Sequence, residues 1–403
     1  MQLNRCPKVS ANTGIRTMLP EETLKRVLPL LSAAGLEPLE DITERDNIGI
    51  PVFSIARMSG AFGKMKFYNG KGPTPEQAKA SAIMEAMERY SAELRETDEI
   101  IYGTVDEATA VGLTLDPAEM ILPARVLNYY RNDVIAWCRG YEMFRGEDIW
   151  VPACAVFHPY YPDGDLQVCR FHTNGIAAGN TMEEAILHSM FELIERDAWS
   201  ICEYKEKANA DVIVEDGSLC SQLIKKFNDN GVEIHLKDLT SDIGIPTIGA
   251  AADDVLTKDP ELLTIGVGTH LNPEIAAIRA LTEVAQSRTT HKHGSKINAK
   301  LQHISREMGY DKVKLANRVW YSKSGSTVRL ADMKRLDTPY VLDDIEVVFD
   351  NLIRCGFDKV IAVDLTRPEV GVPAVRMIIP GLEVSTMDPE REGPRLFGTR
   401  NKP

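Results

Sequence analysis

One pattern recurs three times along this chain, and it limits the possible folds more than any other feature. The first copy, G-P-T-P-E-Q-A-K-A-S-A-I-M-E-A-M-E-R, runs from Gly72 to Arg89. The second, G-N-T-M-E-E-A-I-L-H-S-M-F-E-L-I-E-R, runs from Gly179 to Arg196, an offset of 107 residues (179 less 72). Thr, Glu, Ala, Glu, Glu and Arg fall in register between them. A weaker third copy, H-L-N-P-E-I-A-A-I-R-A-L-T-E-V-A-Q, runs from His270 to Gln286 at an offset of 198 (270 less 72), where Glu283 matches Glu85 and Gln286 matches Glu88. These offsets are too long for a solenoid, whose repeats span roughly 20–50 residues. They predict three related strand–turn–helix units within one α+β fold.

Each unit carries a helix-start signal. Thr74, Thr181 and Asn272 have side-chain oxygens that accept from orphan N–H groups at a helix start. Pro75 and Pro273 follow at the first helical position, where a missing N–H costs nothing. Glu184, three residues after Thr181, predicts a capping box. The Glu85/Glu88 and Glu192/Glu195 pairs, and the matching Glu283/Gln286, then stand three apart and share a helix face.

A single E-x-x-E-R is explained by a solvated, salt-bridging helix face. Two copies inside an eighteen-residue match, crowded by Met84, Met87, Met190, Phe191, Leu193 and Ile194, need more. Carboxylates at such spacing among apolar residues repel unless a cation sits between them, and magnesium bridging to phosphates suits hard oxygen ligands. The entry to the second helix, T-N-G-I-A-A-G-N-T from Thr173 to Thr181, has the small residues that let backbone N–H groups approach an anion. No Walker motif is present.

These runs, with G-K-G before the first copy, S-R after the third and the late V-G-V-P-A-V-R-M-I-I-P-G-L-E, resemble the YcaO family from N-T-G-I-R-T to Glu383. The resemblance implies a non-Walker ATP site built by the three strand–helix units. It assigns magnesium to Glu85, Glu88, Glu192 and Glu195. Nucleotide contacts fall to Asn180, Glu184, Arg196, Gln286 and Arg288, and triphosphate contacts to Lys8, Thr13 and Arg16. It also implies that residues 1–60 are an N-terminal segment serving the ATP site and 61–403 the YcaO domain.

The family divides by what attacks the activated amide. Azoline-forming members typically end in P-x-P-x-P, whereas this sequence ends E-G-P-R-L-F-G-T-R-N-K-P, which favours an external nucleophile such as sulfide. Within the family the chain looks most like the methanogen members that make thioglycine in the alpha subunit of methyl-coenzyme M reductase. That likeness implies ATP, Mg2+, a sulfide donor, a peptide or protein substrate, in some members a TfuA partner, and a homodimer. The alternatives are an azoline-forming cyclodehydratase and a non-catalytic ATP-binding accessory protein.

Composition agrees with a catalyst of this kind. A net charge of −13 argues against general affinity for nucleic acid. No apolar run suggests a membrane span or a secretory signal, so a cytoplasmic protein is expected. Seven scattered cysteines without a C-x-x-C pair predict reduced thiols rather than a disulfide framework or a zinc site. Cys169 precedes the T-N-G-I turn, where a relay of sulfur competes with the ordinary reading of a buried thiol. His291 and His293 read as a polar turn after the third helix. Residues 20–35 are expected as one helix closed by Gly35, and Ile48–Ile55 as an edge strand.

Overall fold

A computed structural model of the chain describes residues 1–9, 14–60, 63–128, 130–292 and 299–398. Thr13 and His293 lie outside the described residues.

Three sheets carry the fold. The first pairs Glu40–Asp41, Val52–Ser59 and Lys64–Lys71 in antiparallel order. The second runs Ile265–Thr269, Thr247–Asp254, Val232–Asp238, Ala210–Ile213 and Thr327–Arg329, the last pair parallel. The third runs Ile100–Gly103, Ile135–Glu142, Ile361–Asp364, Ala374–Ile378 and Ile176–Ala178, with Glu147–Pro152 paired to the second of these.

The repeat unit is explicit in this topology. Lys64–Lys71, Ile176–Ala178 and Ile265–Thr269 each form an edge of a different sheet. Each leads through three residues into a long helix: Pro75–Ser91, Met182–Lys205 and Pro273–Lys292, here the first, second and third repeat helices. The ends of the strands and the starts of the helices keep the offsets of the sequence repeat. Gly70 and Gly268, equivalent in the first and third units, show why small residues recur: a side chain there would strike the backbone of Ala78 and Ala82, or of Ala276 and Ala280. Each helix therefore lies directly on its own strand.

Each helix also packs on the strand of the next unit. The first lies against Ile176–Ala178, the second against Ile265–Thr269 and the third against Lys64–Lys71, closing a ring. Two side chains at one register position make that contact. Glu195 accepts the Thr269 N–H at 3.0 Å, and Gln286 donates to the Asn69 carbonyl.

Three local expectations need correction. The Glu184 carboxylate does not close a box with Thr181; it accepts from the Asn180 N–H at 3.1 Å and from the Thr17 N–H and hydroxyl, each at 2.5 Å. Thr181 still caps the Glu184 N–H, while Thr74 and Gln77 form the reciprocal pair in the first unit. The strand expected at Ile48–Ile55 is Val52–Ser59, and it is central, because Glu40–Asp41 covers its outer side. Residues 20–35 shorten to the helix Pro20–Val27 and a 3-10 turn Leu28–Leu30, since Pro29 cannot donate into a continuing helix.

Candidate functional site

The ring of repeat helices brings together carboxylates from all three units. Glu85 and Glu88 come from the first helix, Glu192 and Glu195 from the second, and Glu283 from the third. Glu88 and Glu195 are buried. Burial pushes the Glu88 carboxyl well above its ordinary value, and Glu192 and Glu85 push it further. Burial with Glu283 and Glu192 nearby raises Glu195 to about 7. Glu85 is raised for the same reasons. Burial would raise Glu283 as well, but Lys71, Arg196 and Arg279 together hold it below the ordinary value.

Only part of this charge is neutralised by the protein. Arg89 donates to Glu88 and stands 3.9 Å from Glu85; Arg196 stands 4.0 Å from Glu195; Lys71 lies 3.2 Å from Glu283. Among the described residues, the helix carboxylates do not bring three ligand atoms within 4.8 Å of one another. That spacing suits ions shared between helices and phosphate oxygens better than one ion in a closed cage. Raised, mutually repelling carboxyls are the response expected of a site short of cations, so these residues fit magnesium.

Cations gather next to the carboxylates. The buried imidazoles of His188 and His270 are held well below their ordinary value by burial, Arg279 being the first charge to add to it in both; Arg16 and Lys71 add further at His188, and Lys8 and Arg335 at His270. Both rings are therefore neutral at physiological pH. Arg279 donates to His188 Nδ1 at 3.4 Å. The Nε atoms of Arg279 and Arg196 and the Nε2 of His270 are buried without a protein partner among the described residues. Such orphaned groups fit a phosphate chain, which supplies many acceptors at once.

The residues expected to touch nucleotide separate into three groups. Arg16, Asn180 and Glu184 are brought together: Arg16 lies 3.4 Å from the Glu184 carboxylate, which also takes the Asn180 N–H. Lys8 is paired with buried Asp344 at the margin of His270, and Gln286 is turned onto the Lys64–Lys71 strand. Arg288 is not at the cluster. It is buried against Asp46 at 2.9 Å and Asp254 at 3.1 Å, tying the N-terminal segment to the second sheet.

Two participants, Glu283 and Arg279, were not among the expected site residues, although both lie in the third copy. Glu283 matches Glu85 in register, and Arg279 matches His188. A third, Arg376, lies in the late V-P-A-V-R-M run; it is buried on the Ala374–Ile378 strand and bears electrostatically on Glu88 and Glu192. Beyond the ring, a cavity of about 460 Å³ beside Lys205, Asp242 and Arg395 touches none of the five carboxylates.

Comparison with known proteins follows from this geometry. A family model described as YcaO cyclodehydratase, ATP- and Mg2+-binding, matches residues 69–383. The chain is 45% identical over 380 residues to an uncharacterized protein of Methanothermobacter thermautotrophicus, covering 94% of this chain and 97% of that one. It is 29% identical to a protein of Rhizobium leguminosarum bv. trifolii described by its position in the tfuA 3' region, covering 92% of this chain and 89% of that one. Its fold superposes with a TM-score of 0.82 on the structure of YcaO from Methanopyrus kandleri bound with AMPPCP and Mg2+, at 30% identity over 99% of both chains.

Proposed function

This chain belongs to the YcaO family, and from that premise we propose that it uses ATP and magnesium to phosphorylate the oxygen of a peptide backbone amide, which external sulfide then replaces to give a thioamide. The observation that carries the ATP chemistry is the junction of the five carboxylates with the cationic margin of Lys71, Arg279 and Arg16. Glu85, Glu88, Glu192, Glu195 and Glu283 would hold magnesium, which when bound neutralises charge on the phosphates. Arg279 and Lys71 orient the phosphate chain, with Arg16, Asn180 and Glu184 fixing the N-terminal segment over the second helix. On this reading residues 1–60 complete the ATP site and 61–403 supply the rest.

Sulfide adds to the carbonyl, the oxyanion takes the γ-phosphoryl group, and phosphate leaves. The 45% identity to a methanogen protein supports a glycine amide in methyl-coenzyme M reductase alpha subunit as the substrate. The tfuA-region relative supports a TfuA protein as partner. Among the described residues no helix is long and apolar enough to cross a membrane, and the working form in this proposal is a cytoplasmic homodimer.

The test combines ATP, magnesium and a glycine peptide, with and without sulfide. A gain of about 16 Da only with sulfide is the expected result. Loss of about 18 Da from cysteine peptides, independent of sulfide, would make the protein an azoline-forming cyclodehydratase. ATP turnover that alters no peptide would leave an accessory role.

A further inference from the structure

Beside Arg376 and Leu193 of the second repeat helix lies a narrow cavity of about 40 Å³, lined also by Cys169, Asn174 and Arg391. Asn174 is fully buried, and both polar atoms of its amide lack a protein partner among the described residues. The Arg376 Nε is buried and unpartnered as well. The recess is lined mainly by apolar side chains, but the unused Asn174 amide and the free Arg376 Nε offer it donors that a small anionic group can take. Cys154, also buried, has its thiol hydrogen-bonded to that of Cys169. Both cysteines are free in this structure.

We propose that Cys154 and Cys169 are a redox pair that carries the incoming sulfur as a persulfide on Cys169, next to the site where the amide is activated. The proposal rests on the thioamide reading above. Three observations point the same way. The contact between the thiols favours the Cys169 thiolate, with Arg391 and Arg376 adding to it, and brings that thiol down to about 7. The recess has room for about one further sulfur atom beyond Cys169. Arg376 bears on both Cys169 and Glu192, so the recess adjoins the carboxylate ring.

The steps balance without an outside reductant. Hydrosulfide attacks Cys169 Sγ of a Cys154–Cys169 disulfide; the S–S bond breaks, leaving a Cys154 thiolate and a Cys169 persulfide. The terminal persulfide sulfur, having lost its proton to solvent, adds to the amide carbon. The carbonyl oxygen takes the γ-phosphoryl group from ATP and leaves as phosphate, so the peptide is joined to Cys169 through a disulfide. The Cys154 thiolate then attacks Cys169 Sγ, expelling the thioamide sulfur and restoring the disulfide. The electron pair given to Cys154 in the first step is returned in the last.

The test uses the full-length protein. Wild type is oxidised with diamide, freed of oxidant, exposed to sodium sulfide and alkylated; a gain of about 32 Da on the Cys169 peptide is expected. Cys169→Ser should keep its melting temperature and its affinity for a non-hydrolysable ATP analogue, yet lose thioamide formation by about 100-fold or more. Cys154→Ser, loaded with polysulfide and given ATP and peptide, should stop as an enzyme–peptide disulfide that dithiothreitol releases. Wild-type thioamide rates in both serine variants, or no sulfur trapped on Cys169, would overturn the proposal and leave thioamidation itself intact. A Cys169 persulfide trapped in an enzyme that thioamidates no peptide would support the sulfur site and count against the thioamide reading.

Discussion

The second and third repeat helices occupy equivalent places in the ring but carry different charge at matching positions. Where the second has His188, Glu192, Glu195 and Arg196, the third has Arg279, Glu283, Gln286 and Ser287. Glu195 and Gln286 both reach the next unit's strand, yet one accepts an N–H and the other donates to a carbonyl. The backbone contact is thus preserved while the charge is dropped. The difference teaches that the ring is polarised: the first two helices contribute two carboxylates each, while the third contributes one, Glu283, together with the cation Arg279. An amide suffices at the third position, because its remaining task is to hold the strand.

The sharpest way to break this comparison is to neutralise the second helix. Glu192→Gln with Glu195→Gln should lower ATP turnover by about 10³-fold or more with the melting temperature retained, because metal ligands rather than surface ion pairs are lost. Near-normal phosphate release would overturn the metal assignment. Arg288 probes the opposite face of the third helix: Arg288→Ala removes the ion pair of buried Asp254 and leaves Asp46 with Lys292 alone, and should cost about 3 kcal/mol in denaturant unfolding, with the KM for ATP unchanged in the folded fraction.

Glu195 supplies a pH test. Its carboxyl is raised on folding from 4.5 to about 7, so the folded state holds a proton that the unfolded state has released. Metal-free protein should therefore lose stability as pH rises between those values, by about 3 kcal/mol at most. Saturating magnesium or Glu195→Gln should flatten that slope in thermal melts. Glu283→Gln should reduce turnover about 10- to 100-fold, less than the double substitution, since Lys71 and Arg279 already satisfy part of its charge. Smallest of all, Gln286→Glu sets a carboxylate against the Asn69 carbonyl and should cost about 1–3 kcal/mol.

Much of this was legible in the sequence. The repeat fixed the three strand–helix units and placed Glu85, Glu88, Glu192 and Glu195 on the faces that converge. Along the third helix the expected residues do not share one face, and the helical period explains why. Arg279 lies four residues before Glu283, about 40° round the helix, whereas Arg288 lies five after it, about 140° away and facing Asp46. The weak third copy matched Glu283 to Glu85 in plain view, but Gln286 and the missing arginine break the E-x-x-E-R pattern there, and Glu283 was left out of the expected site. The edge strand Lys64–Lys71, with Lys64, Met65 and Phe67 exposed and Gly70 buried, gave no clear alternation. The recess at Cys169 is assembled from residues distant in the chain, which spacing cannot show.

The closed packing of each repeat helix on its successor's strand has a consequence for the chain as it leaves the ribosome. Synthesis proceeds at about 5–20 residues per second, and the first unit emerges before Ile176–Ala178 exists to cover its helix or Pro273–Lys292 to cover its strand. The core around Ala86 and Met87, fully buried in the finished protein, then lacks what later strands supply, and Glu85 and Glu88 have only Arg89 of their own helix beside them. Ring closure waits for Lys292, and even then Arg395 must clamp Asp197 on the second helix at 2.8 Å through both oxygens. The carboxylates of the three helices can therefore converge only after most of the chain has been made.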